Sequence, residues 1–289
     1  MFHARLDEAA REVGAHLAAL LAAHDDLPVG RAMAYASDGG KRLRAFLVLE
    51  GARLHGVPQA QAIWPAAAIE AVHAFSLVHD DLPCMDDDAL RRGRPTVHMA
   101  WDEATAVLAG DALQALAFEM VLRRECHPDP AVRADLALGL ARASGVEGMV
   151  RGQALDIAAE SAATPLTLDQ IEALQAGKTG ALFGWAAEAG PRMAGADTAP
   201  LRIYARAIGL AFQIADDILD VEGDADTAGK RLQKDAAAGK ATFVSLLGLE
   251  AARARATSLV AEACDALAPH GPEAETLREL ARFVIARDR

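Results

Sequence analysis

The chain has 289 residues, 52% of them hydrophobic, and a formal net charge of -12. That length allows two ordinary domains or one large one with a sizeable core, and the acidic balance excludes a general nucleic-acid binder, which needs a basic face for the phosphate backbone. Cys84, Cys126 and Cys264 lie far apart and fit neither a zinc spacing nor a disulfide framework, so they read as incidental thiols of a reducing compartment.

The N-terminal stretch "MFHARLDEAAREVGAHLAALLAAHDD" mixes acids with arginines and reads as neither a signal nor a transit peptide. Apolar residues recur at helical spacing in Leu17, Leu20 and Leu21, and again in Leu136, Leu138 and Leu140, while β-branched alternating runs are nearly absent. Turn clusters fall at 24–30, 54–58, 80–88, 125–131, 161–167, 189–200, 221–230 and 269–273. Between them the pattern predicts helices of roughly 15–25 residues. Asp129 with Pro130, and Thr167 with Gln170, are predicted helix starts, the second as a capping box. No segment reaches about 18 apolar residues without a charge or a proline, so no membrane span is expected and the cytoplasm is the expected setting. The expected fold is all-α: one domain over residues 1–289, a bundle of about ten helices around a central cavity.

The chemistry-bearing residues follow in order. "GGKRLR" (39–44) sets Lys41, Arg42 and Arg44 after a glycine pair, at a predicted helix N-terminus that favours a phosphate. "IEAVHAFSLV" is a core helix in which His73 and Phe75 are ordinary packing residues by periodicity alone. It runs into "HDDLPCMDDDALRRGRP" (79–95), where Asp80 and Asp81 end the helix before Pro83 and Asp86 returns after a four-residue insert. His79 reads as structural. In "QIADDILD" (213–220) Asp216 and Asp220 share one helix face, with Asp217 to one side. Like charges at that spacing repel, and a divalent cation removes the penalty. Oxygen-only ligands with open positions suit Mg²⁺, whereas no histidine–cysteine set supports zinc. The chain has 24 arginines but only five lysines, and Lys41, Lys178, Lys230 and Lys240 fall in segments that read as phosphate contacts.

With "GGKRLR", "HDDLPCMDDDALRRGRPTVH", "LAGDAL", "GKTGALF", "AFQIADDILD" and "GKATFVSLLGL" in place, the sequence resembles a trans-isoprenyl diphosphate synthase of the bacterial farnesyl type, nearly end to end. The resemblance implies that Asp80, Asp81 and Asp86, with Asp216, Asp217 and Asp220, hold about three Mg²⁺ (Mn²⁺ as a substitute) around an allylic diphosphate. Arg91, Lys178 and Lys240 would clamp that diphosphate, with Lys230 a further contact. Lys41, Arg44, His73 and Arg92 would bind isopentenyl diphosphate, and Thr179 and Gln213 would flank the carbocation. The expected reaction joins dimethylallyl or geranyl diphosphate to isopentenyl diphosphate, releasing pyrophosphate, in a homodimeric enzyme. Phe75, five residues before Asp80, would floor the chain-elongation pocket and set a C15 product. The alternatives are a C20 or C10 synthase, a non-catalytic partner subunit, which would be expected to lose one aspartate cluster, and a terpene cyclase, which needs no second diphosphate site. The chain departs from the family pattern in three places: Ala45 replaces the usual proline, Ala89 a common fourth aspartate, and "KRLQKD" (230–235) lacks the usual glycine, which leaves the conformation of that segment and the role of Lys234 open.

Overall fold

The computed structural model describes residues 2–160, 164–222 and 242–286, the side chain of residue 160 excepted. The fold is all-α. In chain order the helices are α1 (Phe2–Leu21), α2 (Pro28–Ala36), α3 (Leu43–Leu54), α4 (Gln59–Asp80), α5 (Val97–Ala100), α6 (Glu103–Leu122), α7 (Pro130–Ser144), α8 (Met149–Glu160), α9 (Leu168–Gln175), α10 (Ala181–Met193), α11 (Ala199–Glu222), α12 (Phe243–Leu247), α13 (Leu249–Ala266) and α14 (Glu275–Ala286). Among the described residues they are somewhat more than the expected ten or so, because several, such as α5 and α12, are too short to show a period in the sequence.

The predicted helix starts are present. Asp129 accepts from the Ala131 N–H at 2.8 Å ahead of Pro130, and Thr167 and Gln170 form the full capping box. The predicted break at 189–200 is shorter than expected, because α10 continues to Met193. Gly190 lies so close to α3 that a Cβ there would sit 2.3 Å from the Ala52 nitrogen, and this packing holds the helix through a sequence of breakers.

The backbone divides into two compact units, Met1–Leu138 with Ala189–Ala196, and Gly139–Glu188 with Asp197–Arg289. In the first, α4 packs against α6 and α3, and Ala67, Ala71 and Ala74 on α4 are buried. Gly110 on α6 makes room for His79, whose Nε2 would be 2.1 Å from a Cβ there and lies 3.1 Å from the Val107 carbonyl. Both helices are long and apolar enough to cross a membrane on length and composition alone. Here much of that apolar surface is interior, 67% of the most apolar window of α4 and 44% of that of α6. In the second unit α11 packs along α13, and the Tyr204 hydroxyl donates to the Leu277 carbonyl at 2.6 Å. All three cysteines are free, and burial pushes the Cys126 thiol up to about 12, as befits an inert core residue.

One small element was not expected. Leu90–Arg91 and Arg94–Pro95 form an antiparallel two-stranded ribbon, β1 and β2, closed by Arg92 at φ 53° and Gly93 at φ 73°. Two positive φ values in a two-residue loop match the twist of a tight hairpin.

Candidate active site

In the first unit, α4 carries His73, Phe75 and Asp80 along its last turns, with Asp81 as its C-terminal cap. The insert then folds back: the Asp86 N–H donates to the Asp80 carbonyl at 2.8 Å, which returns the third aspartate of the cluster to the first. Asp81 is buried and already engaged. The Arg91 Nε lies 2.7 and 2.9 Å from its two carboxylate oxygens and Nη2 lies 2.5 Å from Oδ1. Burial opposes the charge on Arg91, but hydrogen bonding and the charge of Asp81 outweigh it and hold the guanidinium above its usual range.

The hairpin explains why the neighbouring arginines differ. Arg91 sits in the strand and turns to Asp81, whereas Arg92 sits in the turn and donates to the Asp38 carbonyl at 3.2 Å. Gly40 (φ 83°) permits that approach, since a Cβ there would lie 2.8 Å from the Arg92 guanidinium. Arg94 pairs with the Asp38 carboxylate at 2.9 Å and lies over the Tyr35 ring. The result is a small open cleft lined by Tyr35, Asp38, Asp81, Arg91, Arg92 and Arg94, among others.

Electrostatics draws His73 into the same cluster. Burial lowers its pKa well below the ordinary value, and Arg44, Arg92, Arg91 and Arg42 lower it further. A neutral imidazole therefore stands among four guanidinium groups, a concentration of positive charge that suits a polyanion. Lys41 is exposed and Arg44 half-buried at the start of α3, while Arg42 is buried. Phe75 is buried as well, with its ring edge-on to His79 at 5.4 Å.

In the second unit, Lys178 and Thr179 lie in a single π-helical turn, Ala176–Gly180, between α9 and α10. Such turns recur at functional sites. The Lys178 Nζ lies 2.6 Å from Asp156 Oδ2 on α8. Gly152, one turn earlier on α8, is what lets the two backbones meet: a Cβ there would be 1.9 Å from the Lys178 nitrogen. On its other side the turn packs on α11, where Gly209 lies one helical turn before Gln213. Asp216, Asp217 and Asp220 follow, all half-buried. Asp217 accepts from the Phe243 N–H at 2.7 Å, at the start of α12.

The structure thus gathers Arg44, His73, Arg91 and Arg92 in one unit and packs the Lys178–Thr179 turn on the Gln213 helix in the other. In each aspartate cluster the second member, Asp81 or Asp217, holds a protein group. Among the described residues no group of three His, Cys, Asp or Glu side chains is gathered tightly enough to hold a metal by itself. Lys230, Lys234 and Lys240 lie outside the described residues. Asp156, Gly152 and Asp38 were not expected from the sequence. Nothing local in the "GQALD" run that contains Asp156 points to its lysine partner, which is 22 residues away.

Comparison with known proteins gives a consistent set of relatives. The polyprenyl synthetase family profile matches residues 28–276. Farnesyl diphosphate synthase of Escherichia coli (strain K12) is 46% identical over 272 residues, covering 91% of this chain and 90% of that protein. Geranylgeranyl pyrophosphate synthase 9, chloroplastic, of Arabidopsis thaliana is 44% identical over 257 residues, covering 86% of this chain and 71% of that protein. Among solved structures, the apo crystal structure of an FPP/GFPP synthase from Zymomonas mobilis superposes with a TM-score of 0.90 at 46% identity, covering 98% of each chain.

Proposed function

This chain belongs to the polyprenyl synthetase family, and from that premise we propose that it is a trans-prenyltransferase that makes farnesyl diphosphate from isopentenyl diphosphate and dimethylallyl or geranyl diphosphate. The observation that carries the reading is the cleft beside the first aspartate cluster, lined by Asp81, Arg91, Arg92 and Arg94, with the charges of Arg44, Arg91 and Arg92 reaching His73 and favouring its neutral form. A diphosphate needs that density of positive charge, and a neutral imidazole can donate one hydrogen bond without adding to the repulsion.

In this reading Lys41, Arg44, His73 and Arg92 hold isopentenyl diphosphate, and Arg91 and Lys178 hold the allylic diphosphate. Lys240 and Lys230 are assigned to the allylic diphosphate by resemblance alone. The chemistry of the aspartates fits Mg²⁺: hard oxygen donors, few per cluster, leaving coordination positions for water and phosphate oxygens. Asp80 and Asp86 of the first cluster, and Asp216 and Asp220 of the second, would hold it. Asp81 and Asp217 are engaged by Arg91 and the Phe243 N–H, which favours a supporting role for both over the direct ligation implied by the resemblance. When bound, Mg²⁺ supplies neutralisation of the charge that grows on the leaving diphosphate.

The chain's own residues do the rest. Arg91 and Lys178 present fixed charges to the departing group, each held by a carboxylate, so little reorganisation is needed as the bond breaks. The arginine–His73 cluster orients the second substrate so that its double bond meets the allylic carbon, and Thr179 and Gln213 flank the developing cation with oxygen dipoles. The surplus proton leaves with the pyrophosphate, so no side-chain base is required. Buried Phe75 below Asp80 floors the growing chain and favours a C15 product over the C20 alternative.

A homodimer fits the character of α6. Its inner face buries Ala106, Ala109, Leu113, Ala117, Met120 and Val121, yet Val107, Leu108 and Leu122 on its outer side are 40%, 53% and 49% exposed. That outer side carries Asp111 and Glu119 as well, but its three large apolar side chains lack a cover, and a second copy would supply one. The enzyme would act in the cytoplasm.

The test is to incubate the purified protein with Mg²⁺, labelled isopentenyl diphosphate and dimethylallyl diphosphate, then size the dephosphorylated products. C15 alcohol that disappears on chelation and returns with Mg²⁺ is the expected result. No incorporation would overturn the reading in favour of a non-catalytic partner subunit.

A further inference from the structure

We infer that Glu70, five residues before Phe75 on α4 and outside the sets assigned above, is a positioning residue that aims Lys41 and Arg44 at the second diphosphate. The inference rests on the assignment of those two residues to isopentenyl diphosphate. It starts from an anomaly at Arg42. This residue precedes α3 as its N-cap, has a left-handed backbone (φ 51°, ψ 43°), and offers no side-chain cap to the helix. That conformation is strained for an L-residue, so its surroundings must hold it.

Glu70 on α4 does so, with both oxygens. Its Oε2 lies 3.6 Å from the Arg42 Nη1, and its Oε1 accepts the Ala45 N–H at 3.0 Å. The other terminal nitrogen of Arg42 donates to the Ser37 carbonyl. Glu70 and Arg42 are only 6% and 8% exposed. Breaking such a buried pair by removing one partner leaves an uncompensated charge.

Three consequences follow from the geometry. Arg42 is turned inward and is not a substrate ligand, although it stands between two residues that are. The left-handed turn at Arg42 leaves Lys41 exposed and Arg44 half-buried on either side of it. The Ala45 N–H, one of the orphan donors of the first turn of α3, is taken by a carboxylate, so recognition of a diphosphate there falls more on the Lys41 and Arg44 side chains than on the helix terminus. The bond also depends on this chain having alanine at position 45, since proline would bring no N–H to Glu70.

Glu70 therefore acts as a cap supplied from another helix, and its removal releases the loop that carries one substrate's contacts while leaving the Arg91–Asp81 pair in place. Steady-state kinetics on Glu70→Ala and Glu70→Gln test this, varying each substrate in turn. For Glu70→Ala, KM for isopentenyl diphosphate should rise about tenfold while KM for the allylic substrate stays within about twofold. Glu70→Gln keeps an oxygen for the Ala45 N–H but loses the ion pair, and should raise the same KM about threefold. If Glu70→Ala does not fold, Glu70→Gln decides alone. Equal rises in both KM values, or an isopentenyl diphosphate KM that stays within 1.5-fold or so in Glu70→Gln, would overturn the inference. Wild-type protein that makes no product at all would instead overturn the functional reading on which it rests.

Discussion

Gly152→Ala is the sharpest single test of how the second unit places its lysine. The added Cβ would sit 1.9 Å from the Lys178 nitrogen, 2.5 Å from its Cα and 2.7 Å from the Gly177 carbonyl carbon. Ordinary contact begins at 3.4 Å, so α8 and the π-turn must part by about 1.5 Å. The obstacle is backbone, which no rotamer change relieves. Overpacking of this kind costs about 1–3 kcal/mol of stability. The functional cost should be larger, because the Lys178–Asp156 contact at 2.6 Å does not survive a displacement of that size. Loss of one preorganised charge on a leaving group lowers kcat by about 10²–10³-fold. KM for isopentenyl diphosphate, whose proposed contacts belong to the other unit, should stay within about threefold. Gly184→Ala is the matched control: nothing lies within 4 Å of its would-be Cβ, and an alanine inside α10 should stabilise the helix by up to about 1 kcal/mol. The assay is single-turnover condensation with thermal melts of all three proteins. A Gly152→Ala enzyme that melts like wild type and keeps kcat within about threefold would refute the reasoning, because Lys178 would then not depend on the close crossing.

Two further outcomes are expected. Phe75→Ala should lengthen the product from C15 toward C20, read by gas chromatography of the released alcohols; unchanged product length would remove Phe75 from the floor of the pocket. His73 is held neutral by burial and by Arg44, Arg92, Arg91 and Arg42, so its folded pKa lies below the unfolded value of 6.5. The unfolded chain therefore binds the extra proton first, and the stability present above 6.5 is lost as pH falls from there toward the folded pKa. Denaturant midpoints across that window should fall less steeply in His73→Gln than in wild type, and parallel curves would exclude His73 as the source.

Much of the site was legible because its chemistry is local. Two Asp-Asp clusters after apolar helices, a glycine pair before Lys-Arg, and the Thr167 and Asp129 caps are all features of a few adjacent residues, and each lies where the pattern puts it. What the sequence could not supply was the partner of each charge. Nothing within the run Asp80–Arg94 says that Arg91 embraces Asp81 while Arg92 turns to Asp38; that choice belongs to a two-residue turn with positive φ at Arg92 and Gly93.

By itself, then, the sequence determined the helical period, the positions of the acidic and basic groups and their likeness to one family, since these depend on spacing along the chain. Tertiary structure alone decided which of those groups are spoken for. Arg42 is turned inward by a glutamate on another helix, and Lys178 is set against α8 by a missing Cβ. Asp217 is spent on the start of α12. Each of these rests on an approach of a few ångströms between residues 22 to 28 positions apart, where the relevant quantity is the space between two backbones and not the identity of the residue itself.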